Sequence, residues 1–224
     1  MSRNRAVPTG TVEDALELVL GAFARSEPAV VPTDTVYGFM APLRNGAAVE
    51  RIFLLKQRPA DQPLAVLVGR PSELDQVAQP CPVARALANR FWPGALTLVV
   101  EARPGVGEVV GARDGTIGVR CADDELVRRI TASVGPVAAT SANLHGQPTP
   151  DDPAVIARQF VGTLVLDGGA RPAPASAVVR VGSGGDVEVL RNGTIDPDQL
   201  SSAARAATTL PPPLTNDGEN GVRS

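Results

Sequence analysis

VVPTDTVYGFMAPLRNGAAVERIFLLKQRPADQPLAVLV, residues 30–68, is the stretch from which the rest of the chain can be read. Ala29-Val30-Val31 is an apolar run too short for a helix, and Pro28 and Pro32 bound it, which predicts a buried strand. Thr33-Asp34-Thr35-Val36-Tyr37-Gly38 then packs four hydrogen-bonding side chains into five residues. From about Gly46 to Lys56 the apolar positions Ala48, Ile52 and Leu55, with Val49 and Phe53 beside them, keep helical spacing. Lys56 and Arg58 stand at the end of that helix. Pro59 and Pro63 stop it and direct an extended return through Leu64 to Val68. Hydroxyls and two cations are thereby led toward one place.

Outward from this stretch, strands and helices alternate. Thr11 to Asp14 opens a helix in the manner of a capping box, with Leu16, Val19, Leu20 and Phe23 on its apolar face. Short helices are predicted after Ser72 and Pro82. Strands are predicted over 95–100 and 116–120, and a helix capped by Asp123 follows, broken at Gly135-Pro136. Another strand at 137–140 enters the loop Ser141–Gly146. A helix over 153–160, a strand over 163–166 and a strand pair at 177–181 and 187–190 complete the pattern. Residues 105–115 are glycine-rich and irregular. This order predicts an α/β fold, a twisted mixed sheet flanked by helices. From about Ser201 the composition turns to Ala, Thr, Pro, Asn and Gly, so residues 1–202 are assigned to one domain and 203–224 to a flexible tail.

Composition narrows the function. Hydrophobic residues make up 43% of the chain but aromatics only 3%, so the core is built from Val, Leu, Ile and Ala. Basic and acidic residues number 21 and 24, which gives no global attraction to nucleic acid. Cys81 and Cys121 have no metal-ligand spacing and read as free thiols in a reducing compartment. No segment approaches the roughly 20 apolar residues of a membrane span, and no apolar run follows the N-terminal arginines. A soluble cytoplasmic protein is expected, without a membrane partner.

The chain offers no Walker loop, dinucleotide glycine fingerprint or HExxH motif, and its one histidine, His145, lacks a serine elbow nearby. Classical histidine acid–base chemistry is therefore not indicated. What remains is cations and hydroxyls at strand ends. Lys56 and Arg58 either compensate a helix C-terminal dipole or hold phosphate, the second through an arginine stiffened by Pro59. Arg120 ends a strand, with Asp123 or Asp124 as ordinary salt-bridge partners. Ser141 and Asn143 lie just past a strand end, where α/β folds place ligands.

Several separated motifs resemble one family. PTDTVYG, KQR with its following proline, FWPGALTLV, TIGVR, the SAN-x-x-G loop at 141–146 and VLRNG at 189–193 resemble the YrdC-like threonylcarbamoyl-AMP synthases over about residues 10–195. The resemblance implies a YrdC-like fold with a concave ligand-binding face. It also implies an ATP-dependent nucleotidyltransferase that forms threonylcarbamoyl-adenylate and pyrophosphate from L-threonine, bicarbonate and ATP, for a tRNA modification. Catalytic roles fall to Lys56 and Arg58, and nucleotide binding to Lys56, Arg58, Ser141, Asn143 and Arg191. Thr33, Thr35, Tyr37, Arg120 and Ser176 fall to the substrate pocket. No protein metal site is implied, Mg2+ would accompany ATP, and other tRNA-modification proteins would be partners. The chain departs from the family pattern at three places. Gln62 replaces a lysine, Leu67 a histidine, and Ala175-Ser176-Ala177-Val178-Val179-Arg180 stands for ESTVVD. The resemblance is to the short form without a further C-terminal domain. Two other readings stand beside it: a YrdC-like protein binding tRNA or double-stranded RNA through Arg44, Arg51, Lys56, Arg58 and Arg70, or a paralogue with a different carbamoyl acceptor.

Overall fold

The structure, a computed structural model, describes residues 5–171 and 174–208. Among these described residues ten strands form one mixed sheet. In chain order they are β1 (Val7–Pro8), β2 (Ala29–Val31), β3 (Gly38–Pro42), β4 (Ala65–Leu67), β5 (Leu96–Glu101), β6 (Thr116–Arg120), β7 (Val137–Ser141), β8 (Leu164–Asp167), β9 (Ala177–Val181) and β10 (Val187–Arg191). Across the sheet they run β1-β8-β2-β3-β7-β4-β6-β5-β9-β10. The helices are α1 (Val12–Ala24), α2 (Gly46–Lys56), α3 (Leu74–Val77), α4 (Pro82–Phe91), α5 (Val106–Val109), α6 (Glu125–Val134), α7 (Pro153–Gln159) and α8 (Pro197–Thr208). Among the described residues no helix is long and apolar enough to cross a membrane.

Strand alternation divides the core in two. Phe39, Val66, Leu98, Ile117, Val119 and Val179 point to one face, where α2, α3, α4, α7 and α8 cover them. Met40, Leu67, Val137 and Ala139 point to the other, where, among the described residues, α1 and α6 are the helices that pack. That second face is left open across β4, β6, β5 and β9. The uncovered half of the sheet is the concave surface on which ligands can lie.

Three local expectations change and one holds. The capping box of α1 is present as read, with Thr11 and Asp14 exchanging hydrogen bonds. The cap of α6 is Asp124, which accepts from the Val127 N–H, while the Asp123 carboxylate pairs with Arg128. β3 was not legible because Gly38-Phe39-Met40-Ala41-Pro42 is buried on both faces and so carries no alternation. The irregular glycine-rich stretch contains the short helix α5.

The tail boundary also moves. Residues 203–208 belong to α8, whose Leu200, Ala204 and Ala207 are buried against α4, so the helical stripe runs past residue 202. Its small residues conceal it in a hydropathy reading. The remainder of the expected tail, 209–224, lies outside the described residues.

Candidate active site

Two sets of strand residues floor the open face. Ala139 pairs with Ala65, and Gly118 with Val99, Val99 with Arg180, and Arg180 with Glu188. One step along, Leu67 pairs with Arg120, and Thr97 with Val178. Small residues in the middle keep the floor low: an added Cβ at Gly118 would come to 3.2 Å from Thr97. The result is a cleft of about 830 Å³, within the roughly 300–1,000 Å³ range of small-molecule sites.

Of the residues singled out in the sequence, Thr33, Thr35, Lys56, Arg58, Arg120, Ser141, Asn143, Ser176 and Arg191 all line this cleft. Tyr37 does not. Its neighbours Val36 and Gly38 face the cleft, and alternation turns the Tyr37 ring into the opposite core, where it is fully buried. Its hydroxyl donates to the Gly169 carbonyl at 2.7 Å and accepts from the Gly168 N–H at 2.9 Å, pinning the turn after β8. Burial pushes this phenol above its ordinary pKa.

Among the described residues the lining carries Lys56, Arg58, Arg120, Arg180 and Arg191 against one carboxylate, Asp114, in a chain whose net charge is −3. Positive charge is thus concentrated where the sheet is open, and the cleft is built for an anion. One corner lies where α2 meets the end of β7. Lys56 Nζ donates to the Ser141 and Asn143 carbonyls at 2.5 Å each and lies 3.3 Å from Asn143 Oδ1. Burial first, and the Arg58 charge second, lower this ammonium to about 7, while its three oxygen partners favour the protonated form. Gln57 takes a left-handed conformation at the C-cap of α2, so the chain turns sharply and brings Arg58 to the cleft. Arg58 donates from Nε to the Gln62 carbonyl and from Nη2 to the Pro63 carbonyl, which fixes the plane of its guanidinium.

The other cations hold the opposite side. Arg120 donates to the Gly94 carbonyl, Thr35 Oγ1 and Asp34 Oδ1, the last at 2.7 Å. Its salt-bridge partner is therefore Asp34, not Asp123 or Asp124. Arg191 donates to the carbonyl and hydroxyl of Ser176, and the Ser176 hydroxyl shares a hydrogen bond with Thr97. Gly193 permits this: an added Cβ would fall 2.2 Å from the Ala177 nitrogen. Thr97, Asp114 and Arg180 also line the cleft and were passed over in the sequence. Strand parity was their available signal, since 97 and 99 share one face, as do 178 and 180. Leu67 lies on the cleft wall but belongs to the apolar cluster beneath α1 and α6. Of the five basic residues offered to RNA, Lys56 is buried, 1% exposed, and Arg70 is exposed and paired with Glu73.

A mixed sheet with a cationic cleft on its uncovered half defines an α/β protein whose open face suits anionic ligands. The Sua5/YciO/YrdC family model, described as "Telomere recombination", matches residues 22–193. The threonylcarbamoyl-AMP synthase of Bacillus subtilis is 36% identical over 183 residues, 79% of this chain and 53% of that protein. The enzyme of the same name from Pyrococcus abyssi is 37% identical over 158 residues, 69% of this chain and 46% of that protein. This chain spans about half the length of these curated relatives. A Mycobacterium tuberculosis relative, 34% identical, is covered over 85% of its length. The crystal structure of P. abyssi Sua5 complexed with L-threonine superposes with a TM-score of 0.78 at 29% identity, covering 89% of this chain and 60% of that one. The fold is shared with Escherichia coli YciO at a TM-score of 0.74. The chain belongs to the Sua5/YciO/YrdC family.

Proposed function

We propose that this protein is a threonylcarbamoyl-AMP synthase. The observation that carries this reading is the gathering of Lys56, Arg58, Ser141 and Asn143 at one corner of the cleft, with Arg120 across from it, in a chain similar to enzymes of that name. ATP phosphates belong at the first corner. Arg58, already oriented by two carbonyls, meets the charge that builds on the α-phosphate as pyrophosphate departs. The carboxylate of L-threonine belongs near Arg120, among the hydroxyls of Thr33 and Thr35. Bicarbonate and the threonine amine form a carbamate with loss of water, and a carbamate oxygen attacks the α-phosphorus. The protein orients these partners and supplies no nucleophile.

Mg2+ would neutralise phosphate charge when bound with ATP. Among the described residues Asp114 is the one carboxylate on the lining, and Thr116 holds it through both N–H and hydroxyl, so phosphate oxygens and water would supply most of the ion's ligands. The product serves tRNA modification in the cytoplasm on this reading, with partner proteins downstream. Pyrophosphate release tests it: the purified protein should release pyrophosphate only when ATP, bicarbonate and L-threonine are all present. Release independent of threonine, or supported equally by alanine, would contradict it.

A further inference from the structure

Of the 21 lysines and arginines in the chain, Lys56 is the only lysine. It is also buried, 1% exposed. An ammonium has three N–H bonds, and the distances here assign all three to the end of β7 and the loop after it: the Ser141 carbonyl, the Asn143 carbonyl and Asn143 Oδ1. The loop is tied back by the main chain as well, since the His145 N–H donates to the Lys56 carbonyl at 3.0 Å. Asn143 Oδ1 in turn accepts from the Ser141 hydroxyl, and Asn143 Nδ2 donates to the Leu144 and Gln147 carbonyls. A cation whose donors are spent on protein oxygens has none left for a phosphate.

We propose that Lys56 is a positioning residue, whose ammonium clamps the Ser141–Gln147 loop so that Ser141 and Asn143 face the nucleotide, and that Arg58 is the cation of this corner that meets phosphate. This deepens the synthase reading and rests on it for the identity of the nucleotide. It also explains why the lone lysine sits here. Three oxygens converging on one nitrogen suit a compact ammonium, and a planar guanidinium fork cannot meet them together. A phosphate contact would be served by either cation, so arginine, used everywhere else in the chain, would suffice.

The test combines amide hydrogen exchange with nucleotide titration in the full chain. Lys56→Met and Lys56→Arg should both speed exchange over 142–147 at least tenfold with no ligand present, and both should weaken ATP binding tenfold or more. Arg58→Ala should weaken ATP binding while loop exchange stays at the wild-type rate. Wild-type ATP affinity in Lys56→Arg, or unchanged loop exchange in Lys56→Met, would overturn the proposal. If Lys56→Met does not fold, the wild type carries the test, because lysine labelled with 15N at Nζ gives one resonance. Without ligand it should report an ammonium shielded from proton exchange; exchange as fast as that of a free ammonium would overturn the proposal. A wild-type protein that binds no ATP would remove the synthase reading, yet the loop-exchange results would still decide the role of Lys56.

Discussion

Tyr37 and Arg120 show what a single residue's surroundings decide. The motif PTDTVYG is legible as a functional loop, but which of its side chains reach the cleft depends on strand parity. Thr33 and Thr35 reach it, and Tyr37 spends its hydroxyl on Gly168 and Gly169. Tyr37→Phe should leave the Gly168 N–H without its partner and cost about 1–3 kcal/mol in stability, read in denaturant unfolding. ATP and threonine affinities should stay at wild-type values; a loss of either without a loss of stability would return Tyr37 to the pocket. Arg120 was legible as a candidate cation, and its partner was not. Asp34 lies 86 residues away in sequence, and only the pairing of the strands brings the two within 2.7 Å. Removing one member of a buried ion pair leaves the other uncompensated, at about 3–5 kcal/mol. Asp34→Ala should therefore lower the melting temperature more than Asp75→Ala, whose partner Arg85 is exposed. Equal effects would mean the Asp34–Arg120 pair is no more than a surface contact.

Elements with clear periodicity or caps were legible, and those built from small residues were not. β2, α2, β5, β6, β9 and β10 follow the hydropathy pattern closely, because each presents Val, Ile or Leu at regular spacing. β3 hides behind Gly38 and Pro42, and α8 behind alanines. In α8 the buried positions Leu200, Ala204 and Ala207 follow helical spacing, but alanine contributes little to a hydrophobicity signal. The packing on α4 is nonetheless real burial. A chain ending at residue 202 should be less stable than one ending at residue 208 by about 1–2 kcal/mol, from the buried methyls alone at about 0.8 kcal/mol each. For a protein of this size that is a drop of about 2–8 °C in melting temperature. Identical melting curves for the two chains would show that α8 contributes nothing to the fold.

At the scale of the molecule, function follows from unequal coverage of one sheet. Among the described residues five helices shield one face and two shield part of the other, and the cations gather over the strands left between. No local sequence signal reports which face stays open, since coverage depends on where α1 and α6 pack. The concentration of positive charge was equally hidden, because the chain as a whole is acidic. The family resemblance supplied the expectation of a concave site, and the strand pairings supply its physical cause. The central claim is that this one cleft joins a nucleotide to a carbamoylated amino acid. Mass spectrometry of a reaction holding the purified protein, ATP, L-threonine and 13C-labelled bicarbonate tests it most directly. Threonylcarbamoyl-AMP heavier by one 13C is expected from the wild type, reduced at least tenfold in Arg58→Ala. Absence of that labelled adenylate from the folded wild-type protein, with all three substrates present, would contradict it.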